Sequence, residues 1–339
     1  MPSRVRRLIP ILAIAALVAA CGGGAPSQTV PSLAPTTGSS ETPGGSGSTA
    51  CGAAPAPPAD QAGWNTASKA PTVFPVLVNS SGSLTCGANR LLFTFLDDQN
   101  RPIAKPDRTV SIAIFNLGRN GDTATETETG AFVWGIENER GFYVANVSFP
   151  EAGRWGAEFS TALAGGTPET IRMTFDVATS SPVVHVGDQA PASDTPTADS
   201  VGGDLAKLST DAVPDPALYE TSVKAALTAH EPFVLVFATP AFCSSAQCGP
   251  TLDRIKPLVT ALPTVAFIHV EPYQLTFQNG DLQPVLDAQG GLQPTPAVFE
   301  WGLLSEPWVF VVNRDGIVTA SFEGIVSADE IKAAADAVK

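Results

Sequence analysis

The pattern of apolar and polar positions divides the chain into stretches of different character. From about residue 70 to 178 it is strand-like: Arg-Leu-Leu-Phe-Thr-Phe-Leu-Asp (90–97) is followed by the turn Asp-Asp-Gln-Asn-Arg-Pro. The segments 109–115, 131–136 and 142–149 then alternate, and two more runs follow a Pro-Glu-Ala-Gly turn. A period of two predicts strands with one buried and one wet face. About seven short strands separated by turns predict a β-sandwich. Beyond Asp215 the period changes. Leu218, Val223, Ala226 and Leu227 fall at helical spacing, as do Leu252, Ile255, Val259 and Leu262 around an internal Pro257. Between and after them, 232–238 and 264–270 are continuous apolar runs, as buried central strands would be. Residues 307–313 and 317–323 flank Arg314-Asp315-Gly316, a hairpin signal. Ser327 with Glu330 three residues on is a capping box for a closing helix. Helices alternating with buried strands predict an α/β sheet covered on both faces.

The ends of these regions are marked by composition. Arg4, Arg6 and Arg7 precede an apolar run from Leu8 to Ala20, too short to span a bilayer comfortably. It ends Val18-Ala19-Ala20-Cys21. That order is a secretion signal, and it resembles the lipobox of bacterial lipoproteins. The resemblance implies cleavage after residue 20 and a lipid on Cys21, anchoring the protein on the extracytoplasmic face of the cell membrane. Residues 21–67, mostly Gly, Pro, Ser, Thr and Ala, predict a flexible tether. Residues 179–204, rich in Pro, Asp, Ser and Thr, predict a linker in which His185 is solvated. The expected organisation is therefore signal 1–20, tether 21–67, sandwich 68–178, linker 179–204 and α/β domain 205–339.

Charge and cysteines narrow the function. The chain has 19 Lys and Arg against 33 Asp and Glu, a net charge of −14. Losing the three N-terminal arginines leaves 16 against 33, near −17. So acidic a surface repels nucleic acid and anionic lipid. Outside the cytoplasm paired cysteines stay oxidised. With Cys21 lipidated, Cys243 and Cys248 pair by proximity, leaving Cys51 with Cys86 as a structural disulfide candidate. No metal site or cofactor is expected.

The β region, in Ala-Asn-Arg-Leu-Leu-Phe-Thr-Phe-Leu-Asp-Asp-Gln-Asn-Arg-Pro-Ile and Ser-Phe-Pro-Glu-Ala-Gly-Arg-Trp-Gly-Ala-Glu-Phe, resembles the immunoglobulin-like modules of exported bacterial proteins. Residues 205–339 resemble the thioredoxin family: paired cysteines lie between the first buried strand and the next helix, and Pro307 stands just before a later central strand. The resemblance implies that Pro307 is a cis-proline beside the dithiol and helps to bind the partner chain. The expected fold is thus multidomain, an all-β immunoglobulin-like sandwich followed by an α/β thioredoxin-like domain.

One departure matters. The chain has Cys-x-x-x-x-Cys where thioredoxins have Cys-x-x-Cys. Residues five apart in a regular helix are turned by roughly 140° and rise about 7.5 Å, too far for a disulfide. Cys243 must lie in the loop ahead of the helix, or the helix must unwind. Gly249-Pro250 predicts a start with proline at the first helical position. Two registers of the resemblance stay open: Cys248-Gly249-Pro250 matches the start of thioredoxin's Cys-Gly-Pro-Cys, or Phe242-Cys243 matches its Trp-Cys, which makes Cys243 the nucleophile and Cys248 the resolving thiol. The second is preferred, and in either register free N–H groups and the helix dipole favour a thiolate. Glu306 opposes this if its carboxylate points at the dithiol; Arg254 and Lys256 are expected on the helix surface. The expected function is thiol–disulfide exchange with exported protein thiols or disulfides, or with a membrane electron donor. The alternatives are a non-catalytic docking lipoprotein with a fixed disulfide, a thiol peroxidase, and a copper chaperone using His269. Against a peroxidase, Thr239 sits four rather than three residues before Cys243. Trp301 and Trp308 suit partner binding if exposed, and core if buried.

Overall fold

In a computed structural model, residues 51–57, 64 and 71–339 are described. The expected signal segment, Cys21 and most of the tether lie outside the described residues. The protein is mostly β, with several antiparallel sheets and a few short helices.

The first eight strands are β1 (Phe74–Leu77), β2 (Gly87–Leu96), β3 (Arg108–Asn116), β4 (Glu126–Thr129), β5 (Ala131–Ile136), β6 (Arg140–Phe149), β7 (Gly153–Leu163) and β8 (Glu169–Val177). They form two antiparallel four-stranded sheets, ordered β1-β2-β6-β5 and β4-β3-β7-β8. One core joins them: Leu91, Phe93 and Phe95 from β2 and Tyr143 and Phe149 from β6 meet Ile112, Ile114, Trp155 and Phe159 from the other sheet. Phe93 and Phe159 stand 5.0 Å apart between ring centroids, and Phe149 and Trp155 4.9 Å. Tyr143, wholly buried, keeps its hydroxyl paired by donating to the Lys105 carbonyl at 2.8 Å.

Expectation and structure differ in three places here. The second face of β2, β5 and β6 is not wet: Leu92, Val133, Phe142 and Val144 pack with Ile325 from the C-terminal part of the chain. The tether does not run free to residue 67. Cys51 is bonded to Cys86, Ala54 donates to the Ala152 carbonyl, and Trp64 is buried with Phe115 and Leu117. Trp64 is the one large apolar side chain in its stretch, and Gly156 makes room for it, since a Cβ there would come within 2.5 Å of the indole. Within 179–204, Val183 and Ala190 are buried, and the backbone pairs with later residues, Gly187 and Asp188 with Val318 and Ala190 with Gly316. Polar composition does not keep this segment free, because its backbone groups find partners along a strand.

The remaining elements are α1 (Val223–Thr228), β9 (Phe233–Phe237), α2 (Cys248–Ala261), β10 (Ala266–Val270), β11 (Leu275–Gln278), β12 (Asp281–Pro284), α3 (Pro296–Trp301), β13 (Trp308–Val312), β14 (Val318–Glu323) and α4 (Ala328–Asp336). A sheet of order β10-β9-β13-β14 runs parallel between β10 and β9 and antiparallel elsewhere. All five residues of β9 and of β13 are buried, as their continuous apolar runs require. α2 and α4 share a cluster with one face of this sheet, and α1 and α3 with the other. β11 and β12 make a separate hairpin.

Candidate functional site

Strand β9 ends at Phe237, and after ten intervening residues α2 begins at Cys248. Cys243 lies in the intervening loop and is disulfide-bonded to Cys248, with Cα atoms 6.1 Å apart. The loop closes this span through Ala246, which takes a φ of +59°. The left-handed conformation costs a non-glycine residue about 1 kcal/mol, and here it turns the chain back onto the helix. The helix starts two residues earlier than Gly249-Pro250 suggests, with Pro250 third in the first turn. There a missing N–H breaks no helical bond. The Gln247 side chain does not cap the helix; instead the Cys248 N–H donates to Cys243 Sγ at 3.3 Å. Cys248 is fully buried and Cys243 only partly so.

Pro307 follows a cis peptide bond from Glu306. Its neighbourhood joins the loop through Ser245, whose Oγ lies 3.3 Å from both the Glu306 carbonyl oxygen and Cys243 Sγ. The structure therefore brings Cys243, Cys248 and Pro307 together. Glu306 does turn to the loop: its Oε1 accepts from Ser244 Oγ at 3.2 Å and its Oε2 accepts from the Tyr273 hydroxyl at 2.7 Å. Burial and this carboxylate push the Tyr273 phenol above its ordinary range, so it stays a donor.

Cys51 and Cys86 form the second disulfide, Cα atoms 5.6 Å apart. His269 is buried in β10, donating from Nε2 to the Ala238 carbonyl at 2.8 Å. Nδ1 then accepts from the Tyr219 hydroxyl at 2.7 Å. Burial holds its pKa below the ordinary value, although Glu271 acts in the opposite sense. With both nitrogens engaged, His269 is a core residue rather than a free ligand. Trp301 and Trp308 are buried, and so belong to the core.

Arg254 corrects another expectation. It leaves the helix surface and donates through Nη2 to the carbonyls of Trp134 and Gly135 in β5, both at 2.7 Å. Lys256 does stay near the surface, paired with Asp211 at 2.6 Å. Gln247, between the cysteines, is also buried, at 1% exposed. Neither contact was legible in the sequence. The available signal was Leu91-Leu92-Phe93, where adjacent apolar residues imply that both faces of β2 are covered.

No protein-family model matches the chain, and no curated protein matches it. Among solved structures, a DUF4426 family protein from Pseudomonas aeruginosa PAO1 is 10% identical, over 32% of this chain and 94% of its own, with a TM-score of 0.23. MtrC from Shewanella baltica OS185 is 12% identical over 42% of this chain and 27% of its own, with a TM-score of 0.22.

Proposed function

We propose that the chain is an extracytoplasmic thiol–disulfide oxidoreductase, lipid-anchored through Cys21, with a thioredoxin-like domain carrying the Cys243–Cys248 pair and an immunoglobulin-like sandwich beside it. One observation carries this reading: a disulfide at a helix N-terminus, one cysteine partly exposed and the other buried, with the Glu306-Pro307 segment against the loop. A partner thiolate attacks Cys243 Sγ, the S–S bond breaks, and Cys248 leaves as a thiolate at the first turn of α2, where the dipole stabilises it. A second partner thiolate then attacks the mixed disulfide and displaces Cys243. The partner becomes a disulfide, and the chain a dithiol. Glu306 at the loop opposes the accumulation of thiolate.

Two measurements test this. The reduction potential of the pair in the full chain, equilibrated with glutathione or dithiothreitol, falls between roughly −120 and −270 mV for an exchanger. A value below about −300 mV marks a fixed bond and leaves the second reading, a docking lipoprotein, which is favoured by the cover that β5 places over α2. In addition, Cys248→Ser traps mixed disulfides on Cys243, while Cys243→Ser traps none because Cys248 is enclosed. Equal trapping by both variants rejects the assigned roles.

A further inference from the structure

We propose that the sandwich sets the reduction equilibrium of the Cys243–Cys248 pair through Gln247 and Arg254, two positioning residues that hold the cysteine loop closed against β5. Gln247 sits between the two cysteines and is almost wholly enclosed, its Nε2 donating to the Ser245 carbonyl at 3.4 Å. It faces Gly135 in β5, where an added Cβ would come within 2.8 Å of Gln247 Oε1 and 2.5 Å of the Phe142 ring. Six residues along α2, Arg254 clamps the carbonyls of Trp134 and Gly135, both at 2.7 Å. One strand of the sandwich thus holds the loop and the helix on which the two sulfurs ride.

The energetic consequence follows from how a disulfide closes. Reduction by dithiothreitol breaks the S–S bond; the chain gains two electrons and two protons, and the reagent closes its own ring. Re-formation is intramolecular, so its equilibrium constant rises with the effective concentration of one thiol at the other. Contacts that keep the loop folded against β5 raise that concentration and make the bond harder to reduce. By reciprocity, the closed bond strengthens the contacts with β5 to the same degree, and reduction loosens them. Glycine at 135 is what permits the approach. The inference rests on the exchange reading only for its biological use. The coupling is read as a difference between variants, and it survives or fails whatever the wild-type potential proves to be.

The test uses the full chain in dithiothreitol redox buffers, comparing wild type with Gly135→Ala, Arg254→Met and Ser327→Ala. Gly135→Ala pushes on Gln247, and Arg254→Met removes the clamp. Each is expected to shift the equilibrium at least tenfold toward the dithiol, a rise of about 30 mV. Ser327→Ala weakens α4 without touching β5 and is expected to stay within threefold. If Gly135→Ala does not fold, Arg254→Lys takes its place; it keeps the charge, lacks the planar head whose Nη2 reaches both carbonyls, and is expected to give a smaller rise. Hydrogen exchange adds a second readout, with amides of residues 131–136 losing protection when wild type is reduced. Folded variants with wild-type equilibria, or a Ser327→Ala shift as large as theirs, would overturn the proposal.

Discussion

His269 shows how much a single buried polar side chain decides. Because the Ala238 carbonyl can only accept, the Nε2 proton is fixed, and the neutral ring uses both nitrogens. Burial lowers its folded pKa, so the ring is neutral in the fold and charges more readily in the unfolded chain. The unfolded state then binds the extra proton, so this contribution to stability is complete above the ordinary histidine pKa of about 6.5 and declines as pH falls toward the folded value. Denaturant midpoints are expected to drop between pH 7.5 and 5.5 in wild type and to drop less in His269→Gln. An equal drop in both would assign the loss to other groups.

At the scale of elements, α4 is legible from its N-cap, Ser327. Ser327 Oγ accepts from the Glu330 N–H at 3.2 Å, and Glu330 Oε2 accepts from the Ser327 N–H at 2.9 Å, the reciprocal box that the sequence predicts. The same Glu330 has a second duty invisible in the local sequence: its Oε1 accepts from Arg90 Nε in β2 at 2.8 Å. Ser327→Ala is expected to cost about 1 kcal/mol in urea unfolding. Glu330→Ala is expected to cost about 3 kcal/mol, since it also leaves the enclosed Arg90 guanidinium without its carboxylate. Equal losses would show that the pair between β2 and α4 contributes nothing beyond the cap.

On the scale of the whole molecule, the sandwich and the second sheet are joined by an apolar contact and a polar rim. Ile325 enters between Leu92, Val133, Phe142 and Val144. Around it Arg90 reaches the Ile325 carbonyl, and Glu323 accepts from the Ser80 N–H at 2.7 Å. Shared burial of this kind couples unfolding. Calorimetry of the full chain is expected to give one transition, and Ile325→Ala, at a cost of about 2–4 kcal/mol, to separate it into two. Two transitions in wild type would mean that the docking is weak.

The elements and the place of the cysteines follow from the sequence because they are local. Short strand-like runs between turns place β2, β3 and β5 to β8, while β4, Glu126–Thr129, carries no apolar signal; apolar runs place β9, β10 and β13, and Ser327 caps α4. The spacing of Cys243 and Cys248 leaves two choices, a first cysteine ahead of the helix or an unwound helix, and the first is the one found. What the sequence could not determine is which surfaces meet. Arg254 reads as a surface cation until β5 offers it two carbonyls, Trp64 as part of a tether until Phe115 receives it, and Trp301 as exposed or buried with equal right. Such contacts join residues far apart in the chain, and their partners are chosen by shape and by unpaired backbone groups, neither of which is written in local periodicity.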